Sequence, residues 1–214
     1  MNAKFEFTGE VNALGLKRIR AKIAIGISVK AGDLGGWIEK EENVSQTGDA
    51  WVYGDALVFG DAWVSGNAQV FGDAQVYGDA QVFGDAQVFG NARVSGNALV
   101  FGNARVFGDA RVSGNALVSG NARVSGDARV FGDARVSGNA HIFVAGPVES
   151  RDAYLTAAVD AKIGIRISTS CFSGSLSEFR AEVKKTHGAD SFHGRMYMGI
   201  ANLIEMKFNA EIEA

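Results

Sequence analysis

The chain has 214 residues, of which 47% are apolar and 21% charged, a balance that fits a globular protein with a packed core and excludes a disordered chain. Its formal net charge of −3 gives no general attraction to nucleic acid or anionic membranes, so an anion site has to be a local cluster. One cysteine, Cys171, excludes an internal disulfide; with no basic-then-apolar leader in MNAKFEFTGE and no apolar run near ~20 residues, a cytoplasmic protein without a membrane partner is expected.

Residues 1–50 read as an N-terminal β cap. FEFTGEV is a strand, and in LKRIRAKIAI the apolar Ile19, Ala21 and Ile23 alternate with Arg18, Arg20 and Lys22. GDLGGWIEKEENVS is a glycine-broken loop carrying Leu34, Trp37 and Ile38. Trp37, Trp51 and Trp63 are placed to cover the first turn of whatever follows, since a repeat array needs atypical ends. Lys17, Arg18, Arg20 and Lys22 form a basic cluster, readable as part of that cap or as a contact for an anionic partner.

From Val52 to Ile142 an aliphatic residue recurs every six positions, sixteen times without an insertion. Each hexad reads A-x-V-y-G-[D/N]. The strand period of two puts Ala and Val on one face and x and y on the other, so Ala and Val form the core. Gly followed by Asp or Asn turns the chain after each short strand. Glycine at this period is incompatible with a helix. A solenoid of parallel strands, each with a neighbour above and below, buries the Ala–Val face. The spacing differs from the nine-residue, two-glycine repeat of calcium-binding rolls, so no calcium is expected.

These hexads resemble the hexapeptide-repeat family, which implies a mainly β fold: a single-stranded, left-handed parallel β-helix over residues 51–143, eighteen residues per coil, about five coils, and commonly a homotrimer. At that period, residues eighteen apart stack into three sides. One side carries Tyr53, Phe71, Phe89, Phe107, Ser125 and Phe143 at its y positions. It is the most aromatic side, and Tyr53, Phe71, Phe89, Phe107 and Phe143 are expected to form the oligomer face. The x positions drift from Trp51, Leu57 and Trp63 through glutamines to arginines, and Arg93, Arg111 and Arg129 share one side. That column reads as an anion ladder or as a solvated face paired with the corner aspartates.

Residues 144–214 read as a separate C-terminal module. YLTAAV and IGIRIS form a hairpin about Asp160-Ala161-Lys162. Ser175-Leu176-Ser177-Glu178 is a capping box that opens a helix carrying Leu176, Phe179 and Val183, and Gly188 ends it. A second helix begins near Ser191, with Phe192, Met196, Ile200, Leu203, Ile204 and Phe208 on one face. Both helices are expected to pack over the hairpin or the last coil.

Phe7-Thr8-Gly9-Glu10, Leu16 to Ala21, Gly32 to Glu39, Gly146-Pro147 with Ser150-Arg151, Cys171-Phe172 with Gly174, Glu178-Phe179 and Thr186-His187-Gly188 together resemble the YdcK-like group of phage and prophage hexapeptide proteins. The resemblance implies a non-catalytic binding scaffold in an infected or lysogenic cell, which sequesters a small anionic, nucleotide-like signal or engages a host protein in defence evasion. Hexapeptide acyltransferases use coenzyme A and a histidine base beside a loop that interrupts the coils. No loop interrupts these hexads, and that activity stands as an alternative beside a structural spacer or virion component. His141 is the one histidine within the repeats, too few for the three-histidine zinc site of coil-borne carbonic anhydrases; no metal or other cofactor is expected. Gly146, Ser150, Arg151 and Tyr154 are the ligand-binding candidates, for a glycine turn, a hydroxyl, a guanidinium fork and a ring suit a phosphate or carboxylate with a base attached. Cys171 and His187 complete the set, as buried packing or as a nucleophile with its base, for which His193 is an alternative.

Overall fold

A computed structural model describes residues 3–137, 142–148, 153–160, 163–169 and 171–212. The N-terminal strands β1 (Phe5–Val11), β2 (Lys17–Ala21) and β3 (Leu34–Ile38) form an antiparallel meander. Fifteen short strands follow, one per hexad, from β4 (Trp51–Val52) and β5 (Leu57–Val58) to β18 (Ala134–Val136). From β4 to β15 each pairs in parallel with the strand eighteen residues on, as in Arg105↔Arg123 and Leu99↔Leu117, which makes three sheets: side one holds β4, side two β5 and side three β6 (Trp63–Val64). Ala and Val of the hexads point inward and are essentially solvent-free. The ladder continues through the turns: Arg105 N donates to Ala122 O and Phe107 N to Val124 O, both at 2.9 Å. The corner glycine is required by two constraints at once. Gly84 has φ +71°, and a Cβ there would lie 3.0 Å from Gly102 N of the next turn.

The rod is a β-solenoid of about six turns, one more than the repeat count implies, and the extra turn comes from the N-terminal segment. β3 joins side two in parallel with β5 (Trp37↔Leu57, Ile38↔Val58), and Val44 bridges in parallel to Val64 on side three. Gly35 and Gly36 permit this. A Cβ on Gly35 would sit 2.6 Å from the Ile19 side chain and 2.7 Å from the Trp51 ring, and one on Gly36 2.6 Å from Ala56 O. Of the three tryptophans expected to cover this end, Trp51 is wholly buried edge-on against Phe5, whereas Trp37 is half-buried and Trp63 is 42% exposed. Asn43 donates to Gly60 O and Ala62 O, and the Lys4 ammonium donates to Ser45 O, so peptide groups at the open end are paired.

The other end is closed by antiparallel strands. β19 (Ile142–Val148) and β20 (Ala153–Asp160) pair with each other, β20 runs against β18, and β21 (Gly164–Ser168) and β22 (Ser173–Ser175) extend the sheet. β20 and β21 pair as the expected hairpin strands. Ile142, expected to form a sixteenth side, instead begins β19 and pairs with Ala158. Phe143 therefore leaves the side-one column: it lies opposite Ala157 and packs on the core of the C-terminal module. The Arg166 guanidinium meets the Asp160 carboxylate at 2.6 Å, with the Asp160 side chain fully enclosed, and lies against Gly132 on the last turn, where a Cβ would come within 2.8 Å of it. Arg129 N donates to Thr156 Oγ1.

Helix α1 (Leu176–His187) opens on the predicted capping box: Ser175 Oγ accepts from Glu178 N, and the Glu178 carboxylate accepts from Ser175 N, which holds that carboxyl below its usual range. Gly188, at φ +74°, ends it. Helix α2 (Phe192–Ile212) turns back directly, and Gly194 is what lets it: a Cβ there would collide with Gly188 O. Leu176, Phe179 and Val183 of α1 and Ala201, Ile204 and Phe208 of α2 pack on Leu155, Ala157 and Ile167 of the hairpin.

Candidate functional site

The outward residues of the rod are set by its pitch. Copies of one position on successive turns lie about one strand spacing apart, so like residues stack on like. Phe71, Phe89 and Phe107 lie ring on ring at 4.7 and 4.9 Å with planes within 2°, and Tyr53 meets Phe71 edge-on at 6.4 Å. Phe59–Tyr77 and Phe83–Phe101 stack the same way on the other sides. Tyr53, Phe71, Phe89 and Phe107 are thus half-buried, their ring faces largely turned to each other, and Phe143 is absent from their column.

The arginines stack too. Arg93, Arg111 and Arg129 are in register on side two, as expected, and Arg105 and Arg123 form a second column on side one that the linear text conceals. Among the described residues no corner carboxylate pairs with Arg93, Arg105, Arg111 or Arg123, so the reading of aspartate-paired arginines does not describe them. On side one, Arg105 and Arg123 line an open groove of about 520 Å³ with Gln87 and the corner residues Asp85, Asn103 and Asn121. The basic cluster of the cap is engaged internally: Arg20 pairs with Glu6 at 2.6 Å, Arg18 pairs with Glu10 and covers the Trp37 ring, and Lys17 lies over Phe7.

The tail candidates are spread over several elements. Gly146 is exposed on β19; Ser150 and Arg151 lie outside the described residues, as does the side chain of Tyr154 on β20. Cys171 is exposed between β21 and β22, where Thr169 Oγ1 accepts from its backbone N–H, so it is not the packing residue expected. His187 ends α1 beside His193 (5.8 Å) and stacks on Tyr197 (5.3 Å). No hydrogen bond among the described residues links Cys171 to either histidine, and no group of three or more His, Cys, Asp or Glu among them is arranged to hold a metal ion.

The residues expected on one face of α2 divide into two stripes. Ile204 and Phe208 are buried, while Phe192 and Leu203 are 58% and 56% exposed; Met206, not among the expected residues, is 69% exposed beside them. Phe192, Met196, Gly199, Leu203 and Met206 follow one another at intervals of four, three, four and three residues along a single outer stripe. A Cβ on Gly199 would meet nothing within 4 Å. The interval pattern was available in the sequence; only burial of the opposite stripe separates the two.

The YdcK β solenoid repeat model matches residues 50–66, 86–100, 110–126, 116–130, 122–138 and 128–142. The matched segments of the rod are YdcK-type β-solenoid repeats. The same hexad geometry runs unbroken through the segments between these YdcK matches, where Gln69 pairs with Gln87 and Arg105 with Gln87 at the eighteen-residue register. None of the curated proteins compared with the chain matches it. Among the described residues no helix is long and apolar enough to cross a membrane.

Proposed function

We propose that this YdcK-type protein is a non-catalytic scaffold whose copies join through α2, so that several solenoids are held together and present their outer faces for binding. The observation that carries this reading is the outer stripe of α2. A helix that meets a like helix needs an apolar seam repeating every 3.5 residues, which the four-three-four-three spacing from Phe192 to Met206 supplies, with Gly199 giving close approach at its centre. Burying each of Phe192, Leu203 and Met206 contributes about 1–2 kcal/mol per chain. Summed over two or three chains this is comparable with the ~4–15 kcal/mol lost on association, which gives a reversible assembly. Linked copies then bind more tightly than one, without new contacts.

Two further features support the reading. No loop opens the rod between β4 and β18 to enclose a substrate, and the interior is filled by Ala and Val. Self-association is assigned to α2 rather than to side one because the side-one rings are already stacked on each other. Sedimentation of the full chain tests it. The parent protein sediments well above the 22.5 kDa of one chain at micromolar concentration, and Leu203→Asp with Met206→Asp gives single chains with unchanged circular dichroism. A parent that stays single, or a double variant that assembles as well as the parent, overturns the reading; dissociation by Phe89→Ser alone assigns the contact to side one instead.

A further inference from the structure

The groove on side one differs from the rest of the rod in its charge balance. Arg105 and Arg123 leave consecutive turns in register, one strand spacing of about 4.8 Å apart, and both are exposed. On side two the corner residues just before Arg111 and Arg129 are Asp109 and Asp127. At the same corner positions of side one stand Asn103 and Asn121, whose amides bond each other at 3.2 Å. The one carboxylate of the groove, Asp85, lies a turn away and accepts from the Asn67 amide. Two arginines thus leave adjacent turns in register and line one groove, with uncharged amides at the corners where side two has acids before Arg111 and Arg129. Arg123 is steadied from beneath by the Phe107 ring, 5.6 Å from its centre.

We propose that Arg105 and Arg123 form a binding site for the diphosphate group of a small ligand. Two like charges one strand spacing apart repel, and an anion that bridges them removes the repulsion while it gains charge-assisted hydrogen bonds from both. A diphosphate fits this pair because its two phosphoryl groups, joined through one oxygen, offer each guanidinium a separate set of acceptors at nearly the spacing of the turns. A single phosphate offers the two forks one shared set of acceptors and less charge. Asn103 and Asn121 keep the site from being neutralised by its own corners, and the open groove leaves room for whatever the diphosphate is attached to.

The site lies within one chain, so its test is separate from that of self-association. Titration calorimetry with inorganic pyrophosphate and with orthophosphate, on the full chain, is expected to give one pyrophosphate per chain, bound at least about tenfold more tightly than orthophosphate. Arg105→Gln and Arg123→Gln each weaken pyrophosphate on the order of tenfold, and Asn121→Asp, which gives Arg123 the corner acid found on side two, does the same. Arg111→Gln on side two leaves binding unchanged. All four side chains are exposed, and circular dichroism confirms that the variants fold. Equal affinity for the two anions, or an Arg111→Gln loss as large as that of Arg105→Gln, overturns the proposal and leaves only unspecific attraction to positive charge.

Discussion

The rod and the tail bury apolar surface by different routes. Each hexad supplies one Ala and one Val that are at most 2% exposed, and most outer aromatic residues stack on their own copies in the next turn; only Trp63 is left substantially open. The tail is less self-sufficient: its hairpin and helices share one core, yet Phe192, Leu203 and Met206 on α2, together with Val144 and Ile163, remain exposed. A repeat of this kind completes itself by translation along its axis. The tail has no such translation, and part of its apolar surface stays open.

The largest effect that sharpens this contrast is expected in the rod. Val106→Asp places a carboxylate among Ala and Val with turns above and below, at a cost on the order of 5 kcal/mol, and urea unfolding monitored by circular dichroism should show the sheet lost at much lower denaturant. A stability close to that of the parent would mean the interior is looser than its burial indicates. Next in size is the junction. Asp160→Ala removes the enclosed carboxylate and leaves the partly exposed Arg166 guanidinium unpaired against Gly132, at a cost of about 3 kcal/mol. Hydrogen exchange should rise in β20, β21 and β22 while β7 (Gln69–Val70) to β13 (Arg105–Val106) stay protected; loosening of those rod strands as well would make rod and tail one cooperative unit.

The smallest effect lies at the opposite cap. Burial lowers the Lys4 ammonium from its ordinary 10.5 to about 8, against the pull of Asp49. Between these values the unfolded chain holds a proton that the folded chain lacks, so stability rises with pH across that window. Urea midpoints taken between about pH 7 and about pH 10 should climb in the parent relative to Lys4→Met, and parallel curves would show that Lys4 titrates normally.

Much of the rod was legible because its code is local. Ala and Val at period two, with a glycine corner every six residues, dictate the strand, the inner face and the turn, and all three are found. The caps were less legible because they depend on which distant edge a strand meets. Nothing in GDLGGWI announces that β3 adds a parallel turn; Gly35 and Gly36 are informative only once Trp51 and Ala56 lie against them. Phe143 continued the aromatic column by count, but the chain had already turned to pair with β20. The capping box and the inner residues of α1 read correctly, since a helix start is encoded within four residues. On α2, two apolar stripes on opposite sides of the helix merged into one face, and burial of Ile204 and Phe208 against exposed Leu203 separates them. The side-one groove became visible only when the hexads were stacked, which brought Arg105 beside Arg123 and set Asn121 where side two has an acid.

The central claim, that α2 joins copies of this chain, is tested most directly by distance. A spin label at Arg195→Cys, in a chain that also carries Cys171→Ser, sits on exposed surface beside the seam and leaves Gly199 at its centre unchanged. Packed helices lie about 8–10 Å apart axis to axis, so labels on paired α2 helices should show strong dipolar coupling that disappears when Leu203→Asp and Met206→Asp are added. The absence of coupling at concentrations where the parent assembles would contradict the claim.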